Sequence, residues 1–401
     1  KLMSSTLSSL SITQAAKEAK ILNDDILYDK LIFLRRLLKS IAKKYLSEKN
    51  REALVSVDDF SIDLQKEISD VDEFIGVLRS KSVEYLERSN RSKSRLVPIA
   101  NFLEKWDEEG RNFVRIIKKF GAEDDFSLSV HCLDSALLMS QVFKESYSTI
   151  LMSGTLLPTT MYADLFGVEK ERTILREYSS PFPKENRLNL IVPGVTTKFA
   201  NRNTEQFSKI ASVVANVLNV TPGNSVVFFP SFALLEQVNF FLKPLVKREV
   251  LIQKAFMTPS EKTTQLQRFK TAGKKFGAVL LGVASGSYAE GLDFPGSELL
   301  CAIVVGVPLP EPNLYTKCLI DFFEEKYSKG WHYAYLYPSI SKAIQASGRV
   351  IRSESDLGVT VFLDERYTWQ NYSSCFPKDF TSIQTTEPEK FAKEFWQRGE
   401  T

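Results

Sequence analysis

Cysteine and histidine are scarce in this chain, and their scarcity removes whole classes of chemistry. Four cysteines (Cys132, Cys301, Cys318 and Cys375) are scattered through 401 residues with no CxxC pair, giving neither a zinc pattern nor an iron–sulfur ligand set. So few thiols point to a reducing, intracellular setting, and a cytoplasmic location is expected. His131 and His332 are the only histidines, which argues against a histidine metal centre or a Ser-His-Asp arrangement. No apolar run approaches the roughly 20 residues of a membrane span, and the N-terminal residues lack the basic, apolar, small-residue order of a signal peptide. No membrane partner is expected. Large net charge is also missing: the formal balance is +3, so any nucleic-acid contact must come from a local basic groove. There is no repeat of 20–50 residues and no low-complexity tract.

Helix breakers are rare in the first third. Up to Ser148 there is one proline, Pro98, and three glycines, Gly76, Gly110 and Gly121. Leu27, Leu31, Leu34 and Leu38 fall at helical spacing, as do Phe113, Ile116, Ile117 and Phe120. Ser61–Lys93 and Ile99–Phe120 could each supply a long amphipathic helix. With 24 basic and 24 acidic residues up to Ile150, the segment is neutral and reads as a helical insertion or bundle. Its most basic patch is Arg88, Arg91, Lys93 and Arg95 among serines, either a solvated helix end or a face for a nucleic-acid backbone.

From Ser148 the pattern changes. Thr149–Met152 reads as a short strand running into Ser153-Gly154-Thr155-Leu156-Leu157-Pro158. Pro181-Phe182-Pro183 and Pro193-Gly194 then mark a boundary. Beyond it, strands are expected at Ser225–Phe229, Glu249–Gln253, Ala278–Leu281, Cys301–Val307 and Val359–Leu363. Helices are expected at Asn203–Val220, Phe232–Leu245 and Ser260–Thr271. Strand–helix alternation of this kind predicts an α/β fold with a doubly wound parallel sheet. The implied domains are 1–148, a closing segment 149–182, the α/β domain 183–385 and a tail 386–401.

Two stretches of this second part carry chemistry. Gly282–Pro295 follows a strand and is rich in glycine and small residues, which let backbone N–H groups approach a phosphate. Within it Glu290 and Asp293 could orient a ribose hydroxyl, a water or an arginine. In Ser339–Asp364, Ser339 and Ser341 are candidate N-caps, and Lys342–Ile351 reads as a helix. On that helix Gln345, Arg349 and Arg352 would share one face. Two always-charged guanidinium groups beside a glutamine suit the gripping of phosphate oxygens. A structural reading, of surface arginines on an amphipathic helix, stands beside the functional one.

In chain order the motifs are SGTLLP (Ser153–Pro158), VVFFPS (Val226–Ser231), GVASGSYAEGLDFPG (Gly282–Gly296), VVGVPLPEP (Val304–Pro312), QASGRVIR (Gln345–Arg352) and VFLDERY (Val361–Tyr367). Together they resemble the later motifs of the XPD/DinG group of superfamily 2 helicases, above all the compact archaeal XPD proteins. The resemblance covers about Ile150–Phe380; residues 1–148 match that family's arch insertion by position and helical character only. It implies two RecA-like motor domains with ATP and Mg2+ between them, single-stranded DNA across their top, and an iron–sulfur domain and arch arising from the first motor. It further implies 5′-to-3′ unwinding in DNA repair, with other repair proteins as partners. By this resemblance Arg349 and Arg352 are arginine fingers and Gln345 senses the γ-phosphate. Glu290, Gly291 and Asp293 couple nucleotide to DNA, with Gly286, Gly348 and Gly154 in the nucleotide-coupling loops. Ser153 and Thr155 belong to the motif linking hydrolysis to strand movement, and they, Ser231 and Ser285 touch DNA.

The departures from the family are specific. The sequence contains no G-x-x-x-x-G-K-[ST] loop, no Asp-Glu-Ala-His box and no four-cysteine cluster site. The implied 4Fe–4S cluster therefore has no ligands in this chain. The expectation is the arch, the closing piece of the first motor and the whole second motor, inactive without the missing N-terminal motor and iron–sulfur region. Two alternatives remain at the level of sequence: a non-catalytic DNA-binding or partner subunit with a degenerate motor, and a generic nucleotide-binding α/β domain with a helical cap.

Overall fold

The fold is described from a computed structural model, covering all residues except 1–2, 109, 122–124, 274–275, 287, 290–297 and 399–401. The chain divides into two compact units. The first takes 1–147 with 165–167 and 311–330; the second takes 148–164, 168–310 and 331–401. No helix among the described residues is long and apolar enough to cross a membrane.

The first unit is mostly helical, but it is built on a small antiparallel sheet that the sequence reading did not anticipate. Strands β1 (Ser5–Ser8), β2 (Glu52–Leu54), β3 (Phe113–Lys119) and β4 (Phe126–Cys132) lie in the order β1-β4-β3-β2. The expected helix Ile99–Phe120 is therefore wrong. A helix runs only over Leu96–Trp106, and Gly110, at φ 106, breaks the chain before β3. The stripe Phe113, Ile116, Ile117 fits a short buried strand as well as a helix face, and pairing decides: Ile116 sits opposite Ser129 and Ile117 opposite Leu128. In β4 the alternation is strict, with Phe126, Leu128 and Val130 all in the core. Ser61–Lys93 is likewise two helices, Val57–Gln65 and Val71–Ser89, the second started by Asp70, whose carboxylate accepts from Glu73 N at 2.8 Å.

The second unit has the expected α/β fold, though it also includes 148–164 and the expected tail and leaves out 311–330. Strands β5 (Arg187–Ile191), β6 (Ser225–Phe229), β7 (Glu249–Ile252), β8 (Ala278–Val283), β9 (Cys301–Val305), β10 (Gly358–Leu363) and β11 (Ile383–Gln384) form one sheet in the order β11-β5-β10-β9-β6-β8-β7. Every pairing in it is parallel. Both faces are covered. Val227 and Phe229 of β6 point into a core shared with helices Thr204–Val220 and Phe232–Leu242, which also holds Ala392 of helix Pro388–Arg398; Val226 and Phe228 point to the opposite face, where Phe269, Ile340, Ala343 and Ala346 lie. Burial on both faces is why these strands read as unbroken apolar runs, each fully buried Val or Phe contributing about 1.5–3 kcal/mol.

Thr149–Met152 is not a strand. It is an exposed stretch without regular secondary structure, with Ile150 and Met152 at 81% and 84% exposure, and no strand among the described residues pairs with it. An apolar run becomes a strand only where a neighbouring strand pairs with its backbone groups, and here they are left to water.

Candidate functional site

Because the sheet is wholly parallel, the C-terminal ends of its strands share one edge, where such sheets hold ligands. Ser231 follows β6 there and caps the helix Phe232–Leu242, its Oγ accepting from Leu234 N at 3.3 Å. Ala284, Ser285 and Gly286 follow β8. Ser285 is exposed, and Gly286 closes a turn by donating to Val283 O at 2.8 Å. Gln253, buried at the end of β7, holds this turn through its Oε1, which accepts from Val283 N at 3.0 Å. A Cβ at Gly286 would stand 2.8 Å from Gln253 Nε2, so glycine is what lets the two loops close together. Glu290, Gly291 and Asp293 lie outside the described residues.

The SGT motif and the QASGR motif meet. Gln345 Nε2 donates to Thr155 Oγ1 at 2.7 Å across 190 residues of sequence. Thr155 N in turn donates to Ser153 Oγ at 3.2 Å, and the two hydroxyls are 3.4 Å apart. Gly154 sits in the turn between them, with open space where a side chain would be. A helix does carry Gln345, but it differs from the expectation at both ends. Ser339 and Ser341 are not caps: a π-helical segment His332–Leu336 runs straight into the helix Tyr337–Ser347, and the buried Ser339 hydroxyl donates to Tyr335 O. The helix stops at Ser347, where Gly348 donates to Ile344 O at 2.7 Å.

Arg349 and Arg352 therefore leave the helix and do not share its face with Gln345. Each is half-buried and separately positioned. An Nη2 of Arg349 donates to Ala289 O, beside the loop after β8. The backbone at Arg352 is fixed by Asp356, whose Oδ2 accepts from Arg352 N and Ser353 N, both at 2.8 Å. Burial would raise the Asp356 pKa, but hydrogen bonds from Arg352 and Ser353 outweigh it and hold the carboxyl below its usual range.

Residues 214–383 match the family model of the helicase C-terminal domain. The general transcription and DNA repair factor IIH helicase subunit XPD of Schizosaccharomyces pombe is 27% identical over 287 residues, 67% of this chain and 37% of that protein. A probable ATP-dependent helicase of Methanocaldococcus jannaschii is 30% identical over 251 residues, 58% of this chain and 37% of that one. The chain is thus similar to XPD-like helicases, most firmly over the helicase C-terminal domain. A solved XPD helicase structure superposes with a TM-score of 0.64 at 20% identity, covering 96% of this chain and 65% of that one. That likeness shows the fold alone: a RecA-like α/β domain with a mostly helical N-terminal unit. The chain spans about a third of the length of the curated relatives first matched, 37%, 32% and 32%.

The α/β domain has a further cluster at the same sheet edge, which the sequence reading did not bring together. Asp364, fully buried after β10, takes Arg366 Nε at 2.7 Å and Nη2 at 2.8 Å, and Thr197 N at 2.8 Å. Next to Thr197, Lys198 Nζ lies 4.1 Å from the Trp369 ring centroid and 2.9 Å from Glu365. Phe199 is 86% exposed, with the Arg202 guanidinium 5.6 Å from its ring. The signal was present in Lys198-Phe199-Ala200-Asn201-Arg202, an aromatic between two cations, but a loop five residues long carries no periodicity. All four cysteines carry free thiols. Cys301 is fully buried in β9 and its thiol is pushed up to about 12; Cys375 is pushed up to about 11, also by burial. Among the described residues no three His, Cys, Asp or Glu side chains gather to hold a metal.

Proposed function

We propose that this chain is part of an ATP-dependent DNA helicase, supplying arginine fingers and single-stranded DNA contacts to an ATP site completed by another motor domain. The observation that carries this reading is the Gln345–Thr155 hydrogen bond. It joins a helix ending beside two half-buried arginines to a short motif from the other end of the α/β region. A shift of one element on phosphate binding is thereby felt by the other.

In this reading Arg349 and Arg352 neutralise charge developing on the transferred phosphoryl group, and Asp356 sets where Arg352 leaves the backbone. Glu290, Gly291 and Asp293 couple nucleotide to DNA, with Gly154, Gly286 and Gly348 shaping the loops. Ser153, Thr155, Ser231 and Ser285 position phosphates without reading sequence. Phe199 and Trp369, with Lys198 and Arg202, add a stacking surface of the kind that holds single strands. ATP and Mg2+ bind with the first motor, which brings the lysine and backbone cradle that no stretch of this sequence provides. A 4Fe–4S cluster would be held by that other region. Movement is 5′-to-3′, and the setting is DNA repair with further repair proteins as partners.

The test is ATP turnover with and without single-stranded DNA, for the chain alone and mixed with a protein carrying the P-loop motor and iron–sulfur region. Turnover is expected only on mixing, and Arg352→Ala should lower it by on the order of a thousandfold. ATP hydrolysis by the chain alone, or full turnover of the Arg352→Ala mixture, would overturn the proposal.

A further inference from the structure

The first unit presents a basic loop that the motor chemistry does not use. From Arg88 to Leu103 the sequence has four cations and no carboxylate. Helix Val71–Ser89 ends on Asn90 in the left-handed conformation, φ 51, and the chain then exposes Arg91, Lys93 and Arg95 in alternation with Ser92 and Ser94. Neighbouring cations are neutralised: Arg88 pairs with Glu84, and Lys81 with Asp24 and Glu84. Among the described residues Arg91, Lys93 and Arg95 have no carboxylate partner.

The loop is held from beneath. Glu18, only 6% exposed in helix Ser9–Leu22, accepts from Ser94 Oγ at 2.6 Å and from Arg95 N at 2.9 Å. Ser94 Oγ also accepts from Leu96 N at 3.1 Å, and Arg88 Nη1 donates to Leu22 O at 3.3 Å. Burying a carboxylate is costly unless its hydrogen bonds are made, and here both its oxygens are spent on fixing one surface loop. A loop needed only for solubility gains nothing from such anchoring. A loop that must meet regularly spaced phosphates does, because less ordering is left to be done on binding.

We propose that Arg91, Lys93 and Arg95 form a second, sequence-independent contact with the phosphate backbone of the nucleic acid, held in register by Glu18. This rests on the DNA-binding reading above. Each phosphate neutralised contributes roughly 0.7–0.9 to the slope of log K against log salt. The test is fluorescence anisotropy of the full chain on a forked DNA across a salt series. The Arg91→Ala/Lys93→Ala/Arg95→Ala variant is expected to lose about tenfold or more in affinity at low salt and about two in slope. Glu18→Gln with Ser94→Ala, which keeps all three cations but frees the loop, should weaken binding with the slope retained. Arg35→Ala/Arg36→Ala/Lys43→Ala removes the same charge from another exposed face and should do neither. Wild-type affinity and slope in the loop variant, or an equal loss in the control, would overturn the proposal while leaving DNA binding intact. No binding by the wild-type chain would sink both readings.

Discussion

Asp364 is the most exacting residue of the α/β unit, because it is fully buried and its charge is met by a fixed set of donors. Arg366 supplies two of its guanidinium bonds, and Thr197 adds its N–H and its hydroxyl, the latter at 3.0 Å. This knot ties the exit of β10 to the loop after β5, and so sets where Lys198, Phe199 and Trp369 stand at the sheet edge. Removing one partner leaves the other charge buried and unpaired, which costs more than the pair is worth. Arg366→Met should therefore lower unfolding stability by about 3–5 kcal/mol, read as a fall in the urea midpoint with an unchanged slope. Asp364→Asn added to Arg366→Met should cost less than the two single losses summed. Strict additivity would show that the two side chains do not act as a pair.

At the scale of elements, the same residue can serve fold and function, and the two roles separate by choice of substitution. Ser231 caps the helix Phe232–Leu242 and is also proposed to touch a DNA phosphate. Ser231→Ala should lose about 1 kcal/mol of stability. Ser231→Asp should keep the cap and stay within about 0.5 kcal/mol of the parent, yet place a negative charge where a phosphate would sit. Single-stranded DNA affinity should then fall by about tenfold, a factor equal to 1.4 kcal/mol. If the aspartate variant binds DNA like the parent, Ser231 is a cap and nothing more. The strands around this site were legible in the sequence because burial on two faces leaves an unbroken apolar run: β6, β8 and β10 fall within two residues of their expected limits. Three things were not legible. Thr149–Met152 has the composition of a strand but no neighbour to pair with. The end of the helix at Ser347 turns on the bond from Gly348 to Ile344 rather than on side-chain spacing, so Arg349 and Arg352 leave the expected face. Gly306 fell inside the expected strand Cys301–Val307, but β9 stops at Val305. It stands at φ 70, and a Cβ there would come within 2.3 Å of Thr197 Oγ1, a close approach that only a folded sheet edge creates.

At the scale of the whole molecule, sequence order and structural membership part company. Helix Leu314–Tyr327 follows β9 of the parallel sheet in the chain, yet it belongs to the first unit. Its N-terminal Leu314 N donates to Glu52 at 2.6 Å, Tyr315 lies 4.5 Å from the His131 ring, and Lys326 Nζ reaches Asp134 at 2.6 Å, all three partners lying on or just after strands of the small sheet. Pro308, Pro310 and Pro312 precede it, a stretch that cannot continue a strand ladder. Its stability should therefore follow the first unit's core and not the neighbouring strand. Phe60, fully buried against Phe102 and Trp106 at centroid distances of 5.7 and 4.7 Å, is a core position on which to try this. Phe60→Ala should cost about 3–5 kcal/mol in that core. In native-state hydrogen exchange, amides of Leu314–Tyr327 should then lose protection together with those of β3 and β4. Amides of Cys301–Val305, though closer in sequence, should keep theirs. Loss of protection in Cys301–Val305 alongside the helix would mean that the two units unfold as one, and that the helix is tied to the parallel sheet after all.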